Sequence, residues 1–175
     1  PEDRRGMAGG AGLPVGEVVP EVDCTLGDDN EIQVSGETVL KGYLDGIGDD
    51  ENKIREGDES ETVWHRTGDA GYFDVYGRLW LLGRVNQAIN DDRGTLHPFC
   101  VECVLDAQFG IRGAILAIDG ERVVVIAKGS ANPDDVLQAL KHQHIDRVAT
   151  VKKIPMDKRH DAKIDYPKLL ELLKM

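Results

Sequence analysis

The sequence predicts an α+β protein. A small antiparallel β subdomain fills residues 1–83, and a small α+β domain with a mixed sheet covered by helices fills residues 84–175. Three observations carry this reading. The first half holds short alternating segments separated by turn residues, the mark of small strands. Helical periodicity appears only past Gly83-Arg84, interleaved with further strand-like runs. The charge changes at the same place. Residues 1–82 hold 7 Lys/Arg against 19 Asp/Glu, which leaves 14 against 13 for the rest of a chain with 21 and 32 in all; such an asymmetry supports two modules.

Residues 1–20 are punctuated by Gly and Pro and read mostly as coil, with a short strand around Gly16–Val19. Glu31–Val34 alternates as a strand, and Thr38–Tyr43 is a second extended run or turn. Residues 45–62 are acidic with almost nothing to bury. They read as a long exposed loop with a short helix near Asp50–Ile54. Thr62–Arg66 resumes extended structure, and Thr67-Gly68-Asp69 turns. Gly71–Asp74 and Leu79–Leu82 flank Val75-Tyr76-Gly77 as a hairpin. Past Gly83, Val85–Asn90 reads as a strand and Asp91–Thr95 as a tight polar turn. Pro98 opens a helix whose stripe is Val101, Val104, Leu105 and Phe109, with Gly110 as its stop. Asp119-Gly120 joins strands Gly113–Ile118 and Arg122–Ala127. Asn132-Pro133 caps a helix, Arg147–Lys152 is a strand, and Pro167 begins a last helix rich in leucine.

The chain has 175 residues, 41% of them hydrophobic, so a core is available. A net charge of −11 argues against non-specific nucleic-acid binding, because backbone phosphates are repelled. No apolar run reaches membrane-spanning length. Three cysteines, Cys24, Cys100 and Cys103, give no disulfide framework, which points to the reducing cytoplasm. The Cys100-x-x-Cys103 pair lacks a second pair for zinc and reads as structural; no metal site is expected. The chain begins Pro1-Glu-Asp-Arg-Arg, without a signal peptide or initiator Met, and reads as a fragment.

Two places could carry chemistry. Thr67-Gly68-Asp69 is by itself an ordinary turn, in which Asp caps backbone amides. It is followed by Gly77-Arg78 and Gly83-Arg84. A carboxylate and a guanidinium brought together by hairpins could grip a nucleotide, one on the ribose hydroxyls and one on a hydroxyl or phosphate. Lys163 ends a basic stretch with Lys158, Arg159 and His160. That stretch is either a solvated loop or a flexible ammonium that stabilises charge developing at a phosphoryl centre. No Walker-type phosphate loop or serine elbow occurs.

Three blocks resemble the C-terminal portion of the adenylate-forming superfamily of acyl-CoA synthetases and adenylation domains. They are Arg66-Thr-Gly-Asp69 with Gly71-Tyr-Phe-Asp74, Gly83-Arg-Val-Asn-Gln-Ala-Ile89 with Leu96-His-Pro98, and Asp161-Ala-Lys-Ile-Asp165. A weaker match runs from Glu31 through Tyr43. The resemblance implies that Asp69 binds the ribose, with Thr67 and Arg84 also at the nucleotide, and that Asn86 is a hinge within 84–87. It implies that Lys163 serves adenylation and that the loop of Arg93 and Gly94 faces the second half-reaction. The implied activity is ATP-dependent activation of a small carboxylic acid to acyl-AMP, then an acyl-CoA thioester. Magnesium would be bound by ligands outside this chain, and a large N-terminal domain would complete the enzyme, the fragment alone being inactive.

Arg93 stands where the family has a glycine that shapes the thioester tunnel. Asn90 stands where a basic residue is expected, and Phe99-Cys100 replaces a small residue and Glu. These departures resemble the β-lactone synthetase subgroup, whose Arg-His-Asn-Ala-Lys is close to Arg159-His-Asp-Ala-Lys163. That subgroup acts on a β-hydroxy acid and needs no CoA. A third alternative is a non-catalytic module whose basic face holds a carrier protein or another subunit.

Overall fold

A single long strand organises the first unit of the computed structural model, which describes residues 2–55, 62–157 and 164–173. By contact the chain falls into two compact units, Leu13–Gln87 and Pro1–Gly12 with Ala88–Met175.

In the first unit the strands are β1 (Leu13–Gly16), β2 (Asp23–Leu26), β3 (Glu31–Ser35), β4 (Lys53–Arg55), β5 (Val63–Phe73) and β6 (Leu79–Arg84). They form one antiparallel sheet in the order β1-β6-β5-β3-β2, with β4 also on β5. Ile32, Val63, Ala70, Leu79 and Trp80 are buried. Tyr72 and Trp80 face each other across β5 and β6 with stacked rings 6.2 Å apart. The expected hairpin is present. Asp74 closes it by accepting from the amides of Tyr76 and Arg78, and Gly77 supplies the positive φ of 77° that a β-carbon disfavours. A four-residue helix, α2 (Asp49–Asn52), precedes β4.

The Thr67–Asp69 segment differs from its expected form. It is a bulge within β5, not a turn between two strands. Glu31 pairs with Ala70 and Gln33 with Arg66, so β5 carries two more residues than β3 over that interval. The extra length is what makes the segment look like a turn in sequence. Val85–Gln87 is likewise a 3-10 turn rather than part of a strand.

In the second unit, α1 (Glu2–Ala8) replaces the coil read at the N-terminus and packs on α3 (Phe99–Val104). β7 (Ile89–Asp91) and β8 (Gly94–Leu96) form a hairpin. β9 (Gly113–Ile118) and β10 (Glu121–Ala127) pair antiparallel, and β10 pairs parallel with β11 (Arg147–Val151), giving a mixed sheet. α4 (Pro133–Ala139) and α5 (Tyr166–Leu173) complete the unit. Asn132 caps α4 by accepting from the Asp134 amide at 2.9 Å.

Alternation along β10 splits the core in two. Val124 and Ile126 pack with Val101, Leu105, Val136 and Leu140 on one face. Val123 and Val125 pack with Val151, Ile154 and Leu169 on the other. Helices therefore cover both faces of the sheet. No helix among the described residues is long and apolar enough to cross a membrane.

Candidate functional site

A strand bulge strips backbone groups of their ladder partners, and side chains must replace them. Thr67 Oγ1 donates to the Ile32 carbonyl at 2.8 Å and accepts from the Asp69 amide at 3.1 Å. Its hydroxyl is thus engaged within the bulge. Glu31, 5% exposed, accepts from the Gly68 amide at 3.0 Å and from Arg66 Nε at 2.7 Å. Gly68 has φ 72°.

The bulge holds Asp69 directly opposite Arg84. Arg84 Nε lies 3.1 Å from Asp69 Oδ1, and Arg84 Nη1 donates to the Thr67 carbonyl at 2.9 Å. Both side chains remain reachable by a ligand, at 34% exposure for Asp69 and 45% for Arg84. Asn86 is exposed in the 3-10 turn just beyond, next to the boundary between the units at Gln87 and Ala88.

Arg93 and Gly94 lie on the β7–β8 hairpin. Arg93 Nη2 meets Asp91 Oδ2 at 2.8 Å, and Arg93 Nη1 meets Asp146 Oδ2 at 2.8 Å. A second arginine, Arg122 on β10, is 3% exposed. It reaches Asp91 Oδ1 at 2.7 Å and the Gly94 carbonyl at 2.6 Å, and its amide donates to Asp146 at 2.6 Å. Hydrogen bonds from Arg93 and Arg122 hold the Asp91 carboxyl well below the usual carboxylate range. The hairpin is thereby bolted to the sheet. Gly94 has φ 97° and open space where a β-carbon would sit.

Lys163, with Lys158, Arg159 and His160, lies outside the described residues. The backbone on either side is described. Met156 bridges Ile164 in antiparallel fashion, and the Asp165 amide donates to the Pro155 carbonyl at 3.0 Å. Next to this junction the Tyr166 hydroxyl donates to Glu102 Oε1 on α3. Burial pushes the Glu102 carboxyl up to about 7 against the pull of that bond. Burial also pushes the Cys103 thiol up to about 12 and raises Cys100, which disfavours thiolate chemistry at either.

The sequence reading did not single out Glu31, Asp91, Arg122, Asp146 or Tyr166. Glu31 gave no local signal: it stands close to Asp28 and Asp29 at the start of an alternating strand, and its partner Arg66 lies 35 positions away. Asp91 meets Arg93 two positions on, but its other partner, Arg122, and the partners of Asp146 and Tyr166 are too distant in sequence to be seen. Among the described residues, no group of three or more His, Cys, Asp or Glu side chains could hold a metal ion. At Asp69 and Arg84 a reachable carboxylate, a group that suits vicinal hydroxyls, stands beside a guanidinium, a group that suits a phosphate or hydroxyl.

No family model matches the chain. It is 33% identical over 162 residues to the olefin β-lactone synthetase of Stenotrophomonas maltophilia, a match that covers 82% of this chain and 29% of that protein. It is 36% identical over 96 residues to the 2-succinylbenzoate–CoA ligase of Bacillus licheniformis, covering 52% of this chain and 19% of that one. The chain therefore spans less than a third of the curated relatives it matches. Among solved structures, ATP-bound MatB from Rhodopseudomonas palustris superposes with a TM-score of 0.68 at 25% identity, over 92% of this chain and 36% of that one. The amide bond synthetase McbA from Marinactinospora thermotolerans shares the fold at a TM-score of 0.69 and 24% identity, over 90% of this chain and 36% of that one. By sequence and by fold together, the chain belongs to the adenylate-forming superfamily of acid ligases, of which it represents a part.

Proposed function

We propose that this chain is the C-terminal part of an ATP-dependent ligase that activates a small carboxylic acid as acyl-AMP. The observation that carries this is the pairing of Asp69 with Arg84 on the β5 bulge, both half-exposed. The substrate carboxylate attacks the α-phosphorus of ATP, the bond to the β-phosphate oxygen breaks, and pyrophosphate leaves. Asp69 holds the ribose hydroxyls, and Arg84 both orients Asp69 and meets the nucleotide, with Thr67 shaping the bulge between them. The Lys163 ammonium stabilises charge gathering at the α-phosphate. Asn86 is the hinge about which residues 88–175 move between the two half-reactions. Magnesium accompanies the ATP phosphates on ligands elsewhere in the ligase, and a larger N-terminal region supplies the acid pocket. The enzyme works in the cytoplasm, where its free cysteines stay reduced.

The test is acid-dependent pyrophosphate release by the intact ligase. Lys163→Ala should remove most of it while the protein stays folded. Unchanged release would refute the assignment.

The acceptor of the acyl group is read as the hydroxyl of a β-hydroxy acid, closing a β-lactone with loss of AMP. Two observations favour this over CoA. The β-lactone synthetase match extends over 162 residues, and Arg93, committed to Asp91 and Asp146, stands where the resemblance to CoA ligases implies a glycine. Supplying CoA, or an acyl carrier protein, to the assay should yield no thioester. Formation of acyl-CoA would return the enzyme to the CoA ligases.

A further inference from the structure

At the bulge made by the two extra residues in β5, the Ile32 carbonyl and the Gly68 and Asp69 amides all bond to side chains. Thr67 Oγ1 serves two of them. The third, the Gly68 amide, donates to Glu31. Glu31 reaches it from the adjoining strand, one register position from the bulge. Its second oxygen takes Arg66 Nε, so the carboxylate grips β5 on both sides of Thr67. A buried carboxylate is costly to desolvate unless it is paired and hydrogen-bonded, and this one is both.

The grip is transmitted to the ligand-facing pair. Arg84 is anchored on the Thr67 carbonyl, the residue enclosed between the two Glu31 contacts. Gly68 lies so close beneath Arg84 that a β-carbon there would be 3.1 Å from Nη1. A shift of the bulge therefore displaces both the carbonyl that holds Arg84 and the backbone that carries Asp69.

We infer that Glu31 is a positioning residue of the nucleotide site, whose carboxylate holds the bulge on which Asp69 meets Arg84. It acts through the backbone and does not itself touch nucleotide. The inference rests on the reading of Asp69 as the ribose ligand.

The experiment compares Glu31→Gln, Ser35→Ala and Asp69→Ala in the intact ligase, reading KM for ATP and kcat in acid-dependent pyrophosphate release, with melting curves for each. Glu31→Gln keeps the shape of the side chain but turns one acceptor into a donor facing either Gly68 or Arg66. It should raise KM for ATP about tenfold with kcat changed less than about threefold. Ser35 is buried on the same strand and donates to the Val63 carbonyl at 3.0 Å. Ser35→Ala should lower the melting temperature and leave KM for ATP unchanged. If Glu31→Gln proves too unstable to assay, Glu31→Asp, which retracts the carboxylate by one methylene, should show the same rise. The inference is overturned if Asp69→Ala raises KM for ATP and the Glu31 variants do not, or if Ser35→Ala raises it equally. If Asp69→Ala itself leaves KM unchanged, the nucleotide reading fails and takes the role of Glu31 with it.

Discussion

Arg84 is held twice: Nε faces Asp69 Oδ1 at 3.1 Å and Nη1 donates to the Thr67 carbonyl at 2.9 Å. A guanidinium spans both because its donors are fixed in a planar fork. Arg84→Lys keeps the charge and loses one of the two contacts. It should leave thermal stability almost unchanged, since exposed ion pairs contribute at most about 1 kcal/mol. KM for ATP in pyrophosphate release should nevertheless rise several-fold. An unchanged KM would show that the charge alone suffices.

Gly68 is the narrowest point of the bulge. Gly68→Ala places a β-carbon at φ 72°, a region that costs an ordinary residue about 1–2 kcal/mol, and crowds Arg84 Nη1. The melting temperature should fall, and ATP affinity should fall with it, as measured by calorimetry. Loss of stability without loss of affinity would mean that Arg84 can move aside at no cost.

Glu102 makes stability depend on pH near neutrality. Its folded-state value is raised from an ordinary 4.5 to about 7, so the folded chain holds the proton more tightly than the unfolded one. The stability this gives is fully present below about 4.5 and is lost as pH rises through about 7, an effect of order 3 kcal/mol. Chemical denaturation at a series of pH values should show that decline, and Glu102→Gln should flatten it. The depressed carboxyls Asp91 and Asp146 act with the opposite sign, at acid pH below this window.

Arg122 is the most buried charge of the hairpin network. Asp91→Ala leaves it without its carboxylate, a loss of about 3 kcal/mol or more for a buried cation. Pairing that change with Arg122→Met should restore much of the stability, because no charge is then stranded. A double variant as unstable as the sum of the two single ones would show that the pair acts independently.

What the sequence disclosed follows from how local each signal is. The β9–β10 hairpin was readable because Asp119-Gly120 carries its turn within two residues, with φ 52° and 83°. The start of α4 was readable because Asn132 and Pro133 act on their own first turn. Asp69 and Arg84 were both picked out, but their contact depends on a register that only the folded sheet defines. The hairpin network was hidden because Arg122 lies 31 positions from Asp91 and Arg93 lies 53 from Asp146. Helix α1 was missed because Gly6 within it weakens any intrinsic helical signal. Its support is tertiary: Gln108 Nε2 donates to the Ala8 carbonyl at 2.7 Å.

That helix also bears on how the second unit can be produced by itself. Residues 88–175 are joined in their fold by residues 1–12, so the unit is discontinuous in the chain and the β subdomain is in effect an insertion. Gly10 is packed so tightly that a β-carbon would strike the Gln143 side chain and approach the Cys100 carbonyl at 3.0 Å. An expression clone starting at the linker after Arg84 would omit this segment and leave its docking face on α3 bare. A version with residues 13–87 excised, Gly12 joined to Ala88 through a glycine linker, would retain it and should be the more soluble of the two.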